Sequence, residues 1–239
     1  MLLYLSTIAG LATTFGCLIV LFLGDPSEKL LAVLLAGAGG VMLAVVTLDL
    51  VPAAMSYRLP SQFISGFISG TIFISAAGRI LKLKYNTDQS NRRSRLKRVG
   101  ILIASGIALH DIPEGMAIAV GQESTGQLGM IIAIGIALHN LPEGMATATP
   151  LLMAGIKREK ILALNFAIAF FTPLGAMLGK IALRVAPSSP CFFLSIAAGA
   201  MTLLVLIELW PLSKEHHPGW AFLGGTAGYI FFVMLSFLL

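Results

Sequence analysis

The stretch ASGIALHDIPEGMAIA (residues 104–119) returns 29 residues later as AIGIALHNLPEGMATA (133–148), with 12 of 16 positions unchanged. Each copy sets His, Pro and Glu in the order His-x-x-Pro-Glu inside apolar sequence. An ionisable group is costly in a bilayer, so one that is kept there is a functional candidate by default. Four helical residues amount to about 400° of turn and roughly 6 Å of rise. His110 and Glu114 therefore share one face, as do His139 and Glu143. Pro113 and Pro142 each remove a backbone donor, which predicts a loosened helix with carbonyls freed around His110 and His139. A membrane tolerates such backbone only where protein or a wet cavity covers it. Gly115 and Gly144 follow and let another helix come close.

The surrounding composition makes the membrane reading. The chain is 57% hydrophobic and 11% charged, with a mean hydropathy of +0.91, far more apolar than a soluble domain. A spanning helix takes about 20 mostly apolar residues. Eight stretches qualify: roughly 4–23, 30–54, 62–83, 99–120, 128–152, 161–183, 191–212 and 219–239. Burying them inside a soluble protein would leave too few polar residues for a water-facing shell. The expectation is an all-α polytopic membrane protein, with 1–239 a single transmembrane domain.

Cytoplasmic loops are enriched in Lys and Arg. The segment after the third span holds Arg79, Lys82, Lys84, Arg92, Arg93, Arg95, Lys97 and Arg98, half of the 16 basic residues. Taking it as inside, with a basic cytoplasmic loop at 84–98, also puts Lys29, Lys157, Arg158, Lys160 and Lys214 inside. Only Arg58, Lys180 and Arg184 remain outside, thirteen against three. Both termini then lie on the extracytoplasmic side of the cell membrane. Topology thus accounts for the +5 charge, which removes the reason to invoke nucleic acid; anionic lipid is the partner for the loop. Residues 86–91 (NTDQSN) read as a flexible part of it. The first span has no clear cleavage site and reads as a retained helix. Cys17 and Cys191 sit in or at the end of spans and read as small core residues, not a disulfide framework.

A second repeat lies outside the first. A shift of 159 residues brings spans one to three onto spans six to eight without a gap: Gly40, Met42, Asp49 and Pro52 fall on Gly199, Met201, Glu208 and Pro211, and Thr13 and Gly16 on Thr172 and Gly175. Spans one and six, like four and five, are separated by an odd number of crossings and run in opposite directions. Similarity between oppositely oriented segments marks an inverted-topology repeat, here spans 1–3 and 6–8 around the pair 4–5. That architecture is typical of secondary transporters with a site near the midplane.

Two imidazoles and two carboxylates suit a transition ion such as Zn²⁺ better than Ca²⁺ or Mg²⁺, which prefer all-oxygen shells. Asp111 and Asn140 point about 100° away from His110 and His139 and can line a second position. The structural alternative, a His–Glu hydrogen bond between helices, stays open at this point. Met116 and Met145 read as packing. Asp49 and Glu208, each the sole acid of its span, read as part of a polar path, against a structural hydrogen bond. His216 and His217 read as a solvated cytoplasmic pair.

ALHDIPEGMAIA and ALHNLPEGMATA resemble the fourth and fifth spans of the ZIP family of divalent-metal transporters. The resemblance covers the whole chain, including the basic loop after span three and the acid-x-x-Pro of spans two and seven. It implies uptake of Zn²⁺, with Fe²⁺, Mn²⁺ or Cd²⁺ as further substrates, toward the cytoplasm. It further implies elevator-like movement of spans 1, 4, 5 and 6 against the others, and it allows a homodimer. By position His110, Glu114, His139 and Glu143 match the primary site, with Asp111 and Asn140 near a second site of a binuclear centre. Two departures stand out. The family's usual Asn of span four is Asp111 here, and a Glu that many relatives carry before the Pro of span six is Thr172. The chain also lacks a long His-rich loop, as a compact prokaryotic transporter would. The competing classes are an intramembrane metalloenzyme and a metal sensor that does not transport. His-Glu-x-x-His is absent and neither motif has a Ser or Cys nucleophile, which speaks against hydrolysis.

Overall fold

A computed structural model describes residues 1–24, 27–84, 92–185 and 190–237. Among the described residues, eight helices are long and apolar enough to cross a membrane. They are α1 (Leu2–Leu23), α2 (Glu28–Ser56), α3 (Pro60–Lys84), α4 (Arg92–Ser124), α5 (Gly126–Met153), α6 (Arg158–Val185), α7 (Pro190–His216) and α8 (Pro218–Ser236). Only Thr125 separates α4 from α5; its backbone is extended and its hydroxyl accepts the Leu128 N–H at 3.1 Å, capping α5. Gly155, with φ 76°, ends α5 in the left-handed conformation that glycine tolerates best. The segment 86–91 lies outside the described residues. Residues 92–98, read from sequence as loop, are the first two turns of α4. Their charge hides them from a hydropathy window, although Leu96 and Val99 are buried against the bundle.

Packing follows one pattern twice. α1 lies on α5 and α6 on α4; α2 lies on α8 and α7 on α3; α2 also meets α5, and α7 meets α4. Glycines bring the backbones together. A Cβ on Gly16 would sit 1.9 Å from the Leu141 carbonyl oxygen, and one on Gly175 2.1 Å from that of Ile112. Gly144 faces the Thr13 carbonyl at 1.8 Å and Gly115 the Thr172 carbonyl at 1.9 Å. These contacts correspond to one another at the offsets of 159 and 29. No side chain larger than hydrogen fits there, so α1 and α6 are seated on the α4–α5 pair at backbone distance. α3 and α8 are peripheral and expose Ile64, Ile68, Ile72, Phe222, Ile230 and Phe231, a surface suited to lipid.

The irregular backbone is not where the prolines of the duplicated motif predicted it. α4 and α5 stay helical through Pro113 and Pro142, so each of these prolines costs one ladder bond rather than the helical path. The irregular turns are two π-helical segments, Val46–Leu50 in α2 and Val205–Leu209 in α7, again 159 apart. Val51 N–H reaches back five residues to the Val46 carbonyl, and Trp210 N–H to that of Val205. The wider turn relieves the clash of Pro52 and Pro211 with the carbonyl four residues behind, and each proline starts the next α-helical piece. α6 is interrupted at Ala169 and Phe170, just ahead of Thr172 and Pro173.

Candidate metal centre

The duplicated segments meet where α4 and α5 cross, and their six candidate ligand residues are buried: His110, Asp111 and Glu114 from α4, His139, Asn140 and Glu143 from α5. His139 Nε2 donates to Glu114 Oε1 at 2.9 Å. His110 Nε2 lies 3.5 Å from Glu143 Oε1, while its Nδ1 lies 3.3 Å from Asp111 Oδ1 and 3.5 Å from Glu114 Oε1. One potential ligand atom each from Glu114, His139 and Glu143 falls within 4.8 Å of the others, and the same holds for His110, Asp111 and Glu114. Glu114 belongs to both groups.

Hydrogen bonding between helices accounts for the His139–Glu114 contact and little else. Both His110 nitrogens, both oxygens of Asp111 and of Glu143, Glu114 Oε2, His139 Nδ1 and Asn140 Oδ1 are buried without a hydrogen-bond partner. Buried carboxylates in that condition are strongly unfavourable unless a cation compensates them. The donor set, two imidazoles with carboxylates, is one that a borderline divalent ion takes. Asn140 is held differently: its Nδ2 donates to the Ala9 carbonyl of α1 at 3.0 Å.

A cavity of about 320 Å³ reaches this cluster, with Glu114 and His139 in its wall. It runs between α2, α4 and α5 toward Tyr57 and Ser124, away from the basic ends of the helices. Asp49, presented by the first π-turn, lines it. Glu208, presented by the second, lines a separate pocket of about 210 Å³ at the opposite end with Arg95, Arg98, Glu215 and His216. That pocket includes none of the six residues. Between them stands an apolar plug of α4 and α7, Ile103, Ile107 and Leu204. Above the plug, contacts of Glu28 with Arg92 and His216, and of Arg95 with Glu215, tie the ends of α2, α4 and α7. His216 is therefore half-buried and partnered, not simply solvated; His217 packs edge-on to Trp220 at 6.4 Å. Cys17 and Cys191 are buried and free, as small core residues.

Thr172 is buried with its hydroxyl unpartnered, and so is Thr13, its match at the offset of 159. One polar link was not anticipated. Thr147 donates to Asn165 Oδ1 at 2.5 Å and Asn165 Nδ2 to the Ile161 carbonyl at 3.0 Å, joining α5 to α6. The signal was there: Thr147 falls four residues after Glu143, and Asn165 is a lone amide in an apolar span.

Fold and site together define a polytopic helical membrane protein built around an intramembrane cluster of metal-ligand type. Residues 75–236 match the family model described as ZIP zinc transporter. The chain is similar to a protein named zinc transporter ZupT from Chlorobium luteolum, 36% identical over 90% of this chain and 88% of that one. The namesake from Chlorobium phaeovibrioides is 35% identical over 99% and 97%, and that of Escherichia coli O7:K1 34% over 90% and 88%. The chain belongs to the ZIP family of metal transporters. Membership sets aside the metalloenzyme reading.

Proposed function

We propose that this protein carries Zn²⁺, and related divalent transition ions, across the cell membrane into the cytoplasm by alternating access. The observation that carries the reading is the buried group His110, Glu114, His139 and Glu143, most of whose ligand atoms have no hydrogen-bond partner and whose Glu114 and His139 line the 320 Å³ cavity. Ligands alternate between two antiparallel helices, so one ion is gripped from both copies of the repeat, with Asp111 and Asn140 beside it. Asp49 lies on the way in, and Glu208 is its counterpart on the way out. The cavity on one side and the plug on the other support a state open away from the basic ends. Exchanging the two arrangements, which the repeat at 159 makes nearly equivalent, would deliver the ion to the other side. The thirteen-to-three distribution of basic residues supports placing that side in the cytoplasm, and both termini outside. Exposed α3 and α8 are the surfaces for lipid or for a second copy.

Zinc flux into proteoliposomes of purified protein tests this. Time-dependent accumulation of zinc inside the vesicles, lost in Glu143→Ala, is expected. Zinc binding of equal strength without flux would make the protein a sensor and overturn transport.

A further inference from the structure

Resting on that reading, we infer that Glu28, Arg92, Arg95, Glu215 and His216 form an ionic latch that holds the cytoplasmic side shut and makes the state with the open entry cavity the resting one. The latch crosses the seam along which the bundle has to open. α1, α4, α5 and α6 pack on one another, while α2 and α7 pack on each other and on α8 and α3. Cavity, centre and plug lie between these two groups. Arg92 and Arg95 stand on the first two turns of α4, Glu28 begins α2, and Glu215 and His216 end α7. Arg92 contacts Glu28, which His216 holds from α7, and Arg95 meets Glu215 at 2.5 Å. Beneath these contacts lies the 210 Å³ pocket of Glu208, and beneath that the plug of Ile103, Ile107 and Leu204.

The repeat gives these contacts their weight. Halves that can take each other's arrangement make the two states near equivalents, so a feature without a counterpart decides between them. At the offsets of 29 and 159, Arg92 falls on Gly121, Arg95 on Ser124, Glu215 on Ser56 and His216 on Tyr57. All four of these uncharged residues line the 320 Å³ entry cavity. The open end is thus the counterpart of the latched end without its charges. Glu28 falls on Pro187, which lies outside the described residues. When the ends exchange, two Arg–Glu pairs and a His–Glu contact are broken inside, and neutral side chains close the outside. Glu123, Lys180 and Arg184 are charged and near the outer end, but they sit on α4 and α6, one side of the seam. Among the described residues no ion pair joins them to Arg58 beyond α2. The Arg–Glu pairs are partly exposed. Such pairs are individually weak and screened by salt, so the latch biases a carrier that must still cycle.

The test measures how often each side opens in zinc-free membrane vesicles, in a background lacking Cys17 and Cys191. Ile103→Cys reports the plug, labelled from the cytoplasmic face of inside-out vesicles, and Ile132→Cys the entry cavity, labelled from outside, both with a membrane-impermeant thiol reagent. Glu28→Gln combined with Glu215→Gln should raise labelling of Ile103→Cys about threefold or more and lower that of Ile132→Cys. Exchanging one pair, Arg95→Glu with Glu215→Arg, should return both rates toward those of the intact latch. Raising sodium chloride from about 0.05 M to about 0.5 M should reproduce the change in the intact latch and do little once both glutamates are gone. That arm needs no altered latch, so it decides even where a latch variant fails to fold. Unchanged labelling at both positions without the glutamates, a charge exchange that behaves like their loss, or an intact latch indifferent to salt overturns the inference. With zinc flux present, any of these leaves the proposed function standing. The expected labelling shifts in a protein that moves no zinc would support the latch and remove the proposed function instead.

Discussion

His110 and Glu143 come from different helices and lie 3.5 Å apart, with no hydrogen bond to hold them. On the proposed function, such groups serve ion affinity rather than packing. We expect His110→Ala or Glu143→Ala to lower zinc uptake at least tenfold, about 1.4 kcal/mol in affinity, with normal amounts of protein in the membrane. Near-unchanged uptake across zinc concentrations in both variants would rule these residues out as ligands. Gly144 makes the opposite kind of prediction. A side chain there meets the Thr13 carbonyl at 1.8 Å, and a backbone cannot move aside as a flexible side chain can. Gly144→Val should cost roughly 1–3 kcal/mol or more by overpacking, seen as a lower melting temperature of the detergent-solubilised protein. An unshifted melt would contradict the close seating of α1. The polar residues of the centre were legible because the membrane makes each one exceptional. Their partners were less so: that Asn140 turns to Ala9 while Glu114 serves both His110 and His139 depends on helix rotation, which spacing alone leaves open.

Among elements, the eight spans were legible from hydropathy, since lipid demands the same long apolar run of each. The first turns of α4 were not, because a basic helix beyond the bilayer looks like a loop. The π-turns were hidden for another reason. Pro52 and Pro211 look in sequence like Pro113 and Pro142, yet only the first pair widens its helix; the second runs through segments clamped by Gly115 and Gly144 against α6 and α1. The π-turn sets the direction of Asp49. In Pro52→Ala the restored N–H allows the ordinary ladder to resume, which would swing Asp49 by up to about 100° from the cavity. The expected result is a higher zinc concentration for half-maximal uptake, together with slower labelling of a Cys at position 49. Unchanged labelling would show that the proline does not set the turn.

At the scale of the whole molecule, cavity and plug lie on opposite sides of the centre, and the distribution of basic residues predicts which of them faces the cytoplasm. Single Cys probes at Gln122 and Lys157, in a background lacking Cys17 and Cys191, should be labelled from opposite faces of the membrane, with Gln122 reached from outside. Labelling of both from outside would overturn the topology. The repeat at 159 was visible in sequence as a handful of matched residues; that its members make matching backbone contacts needed the structure, because those contacts join helices distant in the chain. The account rests above all on one divalent ion being held within the membrane by both copies of the motif. Zinc-edge X-ray absorption of the loaded protein measures this most directly. The predicted shell has two imidazole nitrogens and carboxylate oxygens at about 2.0–2.2 Å, and loses one imidazole in His139→Ala. A sulfur neighbour near 2.3 Å, or a shell of oxygens alone that neither His110→Ala nor His139→Ala alters, would contradict it.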